Sequence, residues 1–333
     1  MSRSVLRIAC ILLLALAVRA SSQTAFVHDT VLMGSYCAIT VVAEDAVTAR
    51  RAHEAAVEEI VRIEAMLSSW RPTSVTSQVN GAGVAEDIDV PEEWSDLVQR
   101  CAAIHRLTRG AFDPTVQPLV DLWVFDGDTI EPPAGAAIDA ALERVGLDGL
   151  LLDTVRGTAR WTQANGRIGF GAIGKGYTAD RVADLLQGRG VESGVINMGG
   201  DLRAWGLAPA EDASPRGPWT VGIADPEATG TLRSTLTIGD RAVVTSGDAE
   251  RYVVIDGVRH GHIIDPRTGW PARGLRSVTV VCASAELADA LATAAVVEGP
   301  DRGRRMLEEL PGVEGLLLLE DGSVRTTSGI RVR

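Results

Sequence analysis

From Gly146 to the C-terminus the sequence reads as short apolar runs separated by Gly, Asp and Asn. One helical pattern, about Gly176 to Gln187, interrupts them, and two more, Glu286–Val297 and Asp301–Leu310, come late. Strands bunched in this way do not alternate with helices. That excludes a strict βαβ succession and calls for an α+β fold, with mixed or antiparallel sheets and packed helices. Before Gly146 the pattern is more helical. Apolar residues recur at turn spacing over Glu44–Leu67 and Pro91–Arg109, and Ile138–Val145 forms a short helix. Val31–Val42 reads as an early strand and Ser68–Gly83 as a polar loop; Pro209–Pro218 is a second loop. The expectation is one compact unit of two subdomains, helical first and sheet-rich second, sharing a core.

The first twenty residues read as a secretory signal. Arg3 and Arg7 open it, Val5–Val18 is otherwise apolar, and Val18-Arg-Ala20 offers small residues at the cleavage offsets. Residues 21–333 are then the exported domain, in the periplasm or cell envelope. Cys10 lies at the start of the apolar run rather than after it, which argues against a lipoprotein anchor. No later segment is apolar and long enough to span a bilayer. The net charge of −12 opposes a polyanion, so nucleic acid is excluded as a partner. Cys37, Cys101 and Cys282 sit in apolar contexts with neither zinc spacing nor a disulfide framework, and read as buried small hydrophobes, with a single disulfide as the lesser alternative.

Lys175 is the only lysine in the chain; every other basic side chain among the 32 Lys and Arg is arginine. It sits in Gly171-Ala-Ile-Gly-Lys-Gly-Tyr177, just before a helix expected to open at Gly176. A compact ammonium differs from a planar guanidinium in size, hydration and reach. Glycines beside a helix N-terminus suit an anion such as phosphate, while an ordinary loop is the plainer reading. In Asp289-Ala-Leu-Ala-Thr293 a carboxylate and a hydroxyl share one helix face. Both are hard oxygen donors that Mg²⁺ accepts, or else Thr293 simply bonds its own helix. The surrounding helix is apolar nearly all round and should be buried, so Asp289 needs a partner. His262, in Gly261-His-Ile-Ile-Asp-Pro-Arg-Thr-Gly269, stands at a strand end as a base, a stacking group or a backbone-bonded histidine. Asn197-Met-Gly-Gly-Asp201 and Val244-Thr-Ser-Gly-Asp248 end strands and read as turns. No nucleophile motif is present.

Taken in order, these stretches resemble the ApbE-type FAD:protein FMN transferases. The ordered set is Met33-Gly34, Gly110-Ala-Phe-Asp-Pro-Thr-Val116 with Leu122-Trp123, the Lys175 loop to Asp180, Asn197–Asp201, Thr245–Asp248, His262–Gly269 and Asp289–Thr293. The resemblance implies an enzyme that binds FAD and Mg²⁺, releases AMP and transfers FMN to a threonine of a partner flavoprotein. It further implies that Mg²⁺ is held by the carbonyl of Ala172 with Asp289 and Thr293. Lys175 would face FAD, and Met33, Trp70, Ala111, Phe112, Asp113 and Ile263 would line the nucleotide. His262 would serve the transfer step, and His262, Lys175 and Asp289 form the catalytic set. Gly169 stands where many relatives carry an Asp that contacts the nucleotide. The implied acceptors are membrane flavoproteins, such as subunits of sodium-pumping quinone reductases or Rnf-type complexes, which would bring the enzyme near a membrane. Two other functions fit the same residues: an FAD pyrophosphatase yielding free FMN, and a flavin-binding protein without turnover.

Overall fold

The computed structural model describes residues 23–125, 131–210, 215–225, 230–248 and 251–331. The expected signal segment and part of the Pro209–Pro218 loop lie outside them. The chain opens with β1 (Thr24–Leu32) and β2 (Ser35–Ala43), an antiparallel hairpin rather than the single strand expected over Val31–Val42. Its two-residue turn has φ of 52° at Met33 and 70° at Gly34. Positive φ at both central residues matches the twist of a tight hairpin, and Gly34 supplies one of them without steric cost. Helix α1 (Ala46–Leu67) follows, capped by Asp45, whose carboxylate accepts from Thr48 N at 2.8 Å. The expected polar loop after it contains a short helix, α2 (Val75–Gly81), capped by Ser74.

Three further helices and a small sheet make a satellite layer. Strand β3 (Ile88–Asp89) precedes α3 (Glu92–Leu107), then α4 (Gln117–Val120) and α5 (Gly135–Leu142). Strands β4 (Leu150–Asp153) and β5 (Thr158–Trp161) pair with β3 in the order β3-β5-β4. Helix α6 (Gly174–Gly188) then leads to β6 (Gly194–Met198) and β7 (Asp201–Trp205). Strands β8 (Trp219–Ala224) and β9 (Leu232–Ile238) form their own hairpin, followed by β10 (Ala242–Gly247). The pair β11 (Tyr252–Ile255) and β12 (Val258–Gly261) is a second hairpin. Strand β13 (Leu275–Cys282), helix α7 (Ala285–Glu308), β14 (Glu314–Leu319) and β15 (Val324–Thr326) complete the chain.

The central sheet is antiparallel throughout and has eight strands in the order β1-β2-β6-β7-β10-β13-β14-β15. The fold is therefore α+β. The N-terminal hairpin belongs to this sheet, so the chain does not divide into a helical first part and a sheet-rich second part. A two-stranded hairpin is marginal alone; pairing of β2 with β6 joins it to the sheet, and α1 covers its apolar face. Helices α1, α6 and α7 pack on one face through Ile39, Ile60, Val182, Ile196, Val280 and Leu291. The β8–β9 hairpin covers the other face through Ile223, Leu236 and Ile238. The two late helices form one run interrupted at Gly299, whose φ of 75° is non-helical. The three cysteines Cys37, Cys101 and Cys282 are buried and free.

Candidate functional site

Helix α6 begins at Gly174, two residues earlier than the sequence suggests, so Lys175 belongs to its first turn. No side chain of its own caps this turn. The backbone N–H of Gly176 instead donates to Oδ2 of Asp289 on α7, at 3.2 Å. That contact exists because the two helices nearly touch there. A Cβ on Gly176 would lie 2.2 Å from the carbonyl oxygen of Ala285 and 2.9 Å from Cβ of Asp289. Gly176 thus serves helix packing, where the sequence suggested close approach to an anion.

Asp289 is 4 % exposed, as its apolar helix requires. Burial pushes its pKa well above the ordinary value; the charge of Asp201 adds to the rise, and Lys175 and the Gly176 N–H oppose it. An isolated buried carboxylate costs several kcal/mol unless charge or hydrogen bonds compensate it. Lys175 supplies charge nearby, with Nζ 2.8 Å from Oδ2 of Asp201, a residue 2 % exposed. Asp201 starts β7, opposite Met198, after the Gly199-Gly200 turn. Gly199 at φ 62° and Gly200 at φ 98° make that turn, and Gly200 N donates to Oδ1 of Asn197 at 2.8 Å. Sequence reasoning read this stretch as a turn and did not single out Asp201; the Asp following a double glycine at a strand start was the available signal.

The β1–β2 turn closes on the same point. A Cβ on Gly199 would lie 2.9 Å from Cβ of Ser35 and 3.9 Å from Cδ of Lys175. Gly199 N donates to the carbonyl of Tyr36 at 2.7 Å. Sδ of Met33 lies 3.3 Å from Oγ1 of Thr178, in the first turns of α6. Thr293 lies one turn beyond Asp289 on α7, and its hydroxyl is 3.2 Å from Oγ of Ser246 on β10. Met33, Lys175, Asp289, Thr293 and the unforeseen Asp201 and Ser246 thus surround the start of α6. Ala172 sits in the turn just before it, packed on the satellite core.

Other expected residues take supporting positions. Ala111 and Phe112 are each 1 % exposed and lie in the core with Ile173, Tyr177 and Ala294. Asp113 is buried within its own loop: Oδ1 accepts from Thr115 N at 2.8 Å and from its hydroxyl at 2.6 Å, and Oδ2 lies 3.3 Å from Nδ1 of His105. Burial raises the Asp113 pKa, against those hydrogen bonds and His105. Trp70 is 84 % exposed in the loop after α1. Ile263 packs against both large cores. His262 belongs to a different cluster, its ring edge-on to Phe125 at 6.4 Å, with Trp123 stacked on Phe125 at 6.2 Å. Its backbone N–H donates to the carbonyl of Arg251 at 3.1 Å.

Asp180, the last residue of the lysine motif, caps α7 from outside. It accepts from Ala285 N at 2.9 Å, Glu286 N at 3.0 Å and the Ser284 hydroxyl at 2.8 Å. A carboxylate there meets the positive end of the helix dipole and fixes the helix that carries Asp289. A separate cleft of about 660 Å³ opens between α3, α6 and the start of α7, lined by Glu93, Arg100, Tyr177, Arg181 and Glu286. Tyr177 lies two residues, roughly 200°, around α6 from Lys175, so this cleft is on the far side of the helix. Among the described residues no three His, Cys, Asp or Glu side chains converge as a metal cluster. A site of one carboxylate, one hydroxyl and one carbonyl remains compatible, because Mg²⁺ completes its shell with water and phosphate oxygens.

The sequence profile of the ApbE family matches residues 33–317. An FAD:protein FMN transferase of Treponema pallidum is 34% identical over 295 residues, 84% of this chain and 82% of that protein. The crystal structure of an ApbE protein from Thermotoga maritima superposes with a TM-score of 0.81 at 32% identity, covering 92% of this chain and 97% of that one. The apo flavinyl transferase ApbE of Pseudomonas stutzeri gives 0.80 at 27% identity, covering 92% and 95%. This chain belongs to the ApbE family.

Proposed function

We propose that the protein is an FAD:protein FMN transferase that requires Mg²⁺ and modifies a threonine of an exported or membrane flavoprotein. The observation that carries the reading is the buried Asp289 beside Lys175 at the start of α6, in a chain whose relatives are transferases of this name. Asp289 and Thr293, with the carbonyl of Ala172, are the residues that would hold the metal. A buried carboxylate next to a second carboxylate favours a cation, and hard oxygen donors suit Mg²⁺. When bound, Mg²⁺ neutralises pyrophosphate charge and stabilises the departing phosphate.

The chain's own residues divide the remaining work. Lys175 offers a point charge to a phosphate oxygen at a helix N-terminus. The Met33 turn and Ile263 provide apolar lining. Ala111, Phe112 and Asp113 shape the floor, and with side chains this buried they would meet a nucleotide mainly through their backbone. Trp70 is the exposed ring available for stacking on it. His262 accepts the proton of the incoming threonine hydroxyl, whose oxygen then bonds to the FMN phosphorus. The P–O bond to AMP breaks, and AMP leaves with the bridging oxygen. The nucleophile comes from the partner, in keeping with the lack of a nucleophile motif in this chain. The N-terminal Arg-flanked apolar run supports export of this activity, with cleavage near Ala20.

The test incubates mature protein with FAD, Mg²⁺ and a co-expressed flavoprotein carrying a candidate threonine. AMP release and in-gel flavin fluorescence are followed together. AMP with a fluorescent partner band is expected. AMP with free FMN from every acceptor would make the protein a pyrophosphatase, and bound flavin without AMP a binding protein. His262→Ala is expected to retain FAD binding and lose transfer.

A further inference from the structure

Three ionisable groups share the buried start of α6: the Lys175 ammonium and the carboxyl groups of Asp201 and Asp289. Asp201 holds the ammonium directly, with Oδ2 2.8 Å from Nζ. Its position is fixed by structure rather than by chance rotamers. It is the first residue of β7, paired to Met198, behind a turn made by two positive-φ glycines and locked by the Asn197 side chain. Gly199 in that turn lies against Ser35 and the Lys175 stem, so the lysine passes close to the turn on its way to Asp201. Asp289 is instead engaged by the backbone N–H of Gly176.

We propose that Asp201 is a positioning residue that occupies the Lys175 ammonium and so keeps it off Asp289, leaving that carboxylate's charge for a divalent cation. The inference rests on the metal-dependent reading above. A lysine is suited to this arrangement because its ammonium is a compact point charge that can be held on one carboxylate. An arginine at the same position presents a planar fork of five donors, able to bridge two neighbouring carboxylates and neutralise both. The demand for a cation that ignores one of two carboxylates offers a reason why an otherwise all-arginine chain carries its single lysine here.

The test measures Mn²⁺ binding to the metal-free mature chain by electron paramagnetic resonance, in the absence of FAD, for wild type, Asp201→Asn, Lys175→Met and the double variant. Asp201→Asn is expected to weaken Mn²⁺ binding by about tenfold or more, because the ammonium turns to the remaining carboxylate. Lys175→Met is expected to tighten it. In the Lys175→Met background, Asp201→Asn should change the affinity by less than about threefold, since the competitor is gone. Asp201→Glu should recover most of the wild-type affinity.

An equal loss in both backgrounds would mean that Asp201 acts on the cation itself, and would overturn the inference while leaving the metal site standing. Unchanged affinity in Asp201→Asn would overturn it too. If Asp201→Asn fails to fold, Lys175→Met alone decides, and unchanged or weaker Mn²⁺ binding there overturns it. Failure of the wild type to bind Mn²⁺ would remove the metal reading and this inference with it.

Discussion

The ammonium of Lys175, on the first turn of α6, is held 2.8 Å from the carboxylate of Asp201, the first residue of β7. The two lie 26 residues apart in sequence, separated by the rest of the helix, β6 and a glycine turn. Their meeting depends on α6 lying across the sheet so that its N-terminus stands over the β6–β7 turn. This relationship links the chain's one lysine to a residue that local pattern reads as part of a turn.

Lys175→Arg is expected to lower turnover at least about tenfold although the charge is kept, because the fork and the ammonium satisfy different geometries. FAD titration and AMP release check this together. Wild-type values for both would remove any special requirement for lysine.

Asp289→Asn is expected to stabilise the metal-free protein at neutral pH and to abolish its stabilisation by Mg²⁺. The pKa of Asp289 is raised in the fold from 3.8. The folded state therefore favours the neutral acid. Ionisation costs stability that is intact below about 3.8 and falls away as the pH rises through the folded value. Thermal melts of both proteins across that range, with and without Mg²⁺, report it. A lower Tm for the metal-free variant at neutral pH would contradict the assignment.

Gly176→Ala should be among the most damaging single-methyl changes in the chain. The added carbon would sit 2.2 Å from the Ala285 carbonyl oxygen, which is backbone and cannot rotate aside. Separating α6 from α7 should cost about 3 kcal/mol or more, read by urea unfolding. Loss of activity without loss of stability would show that the helices can part freely.

Glu93 ties three helices together. It accepts from Arg62 on α1 at 2.7 and 2.8 Å and from the Tyr177 hydroxyl on α6 at 2.5 Å. Arg62 in first place holds its pKa below 4.5, against some desolvation. Its contribution is present above about 4.5 and is lost as the pH falls through the lowered folded value. Glu93→Gln is expected to cost about 1 kcal/mol at pH 7, allowing for solvent screening. The gap between variant and wild type should narrow in acid, which unfolding curves at several pH values measure.

Asp180→Ala removes three hydrogen bonds from the start of α7 and should destabilise by about 1–2 kcal/mol. Asp289 lies on the second turn of that helix, so weaker Mg²⁺ binding is expected alongside the loss, read by calorimetry. A stability loss with unchanged Mg²⁺ affinity would mean that the cap does not position the site.

Legibility in the sequence varied with how local each feature is. The helices of residues 46–67, 92–107 and 174–188 announce themselves through periodic apolar residues, each within two residues or so of its observed bounds. Asp289 reads as buried because its neighbours on every side of the helix are apolar. The β1–β2 hairpin was missed because Gly34-Ser35 is too short a break in an otherwise apolar stretch to announce a turn. The sequence separates Glu286–Val297 from Asp301–Leu310, yet does not show that they are two halves of one helical run kinked at Gly299. Asp201, Ser246 and the capping role of Asp180 were not legible, since each depends on a partner from a distant segment.

The sequence by itself determined the α+β class, the strand-rich second half, the burial of the cysteines and the ordered motifs of the ApbE family. These follow from periodicity, composition and short spacings, all properties of neighbouring residues. Tertiary structure alone decided that Gly176 serves helix contact, that Asp180 caps α7 and that Asp201 takes the charge of Lys175. Such assignments depend on which buried groups meet across the fold. A buried charge is settled by its nearest partner in space, which sequence order does not specify.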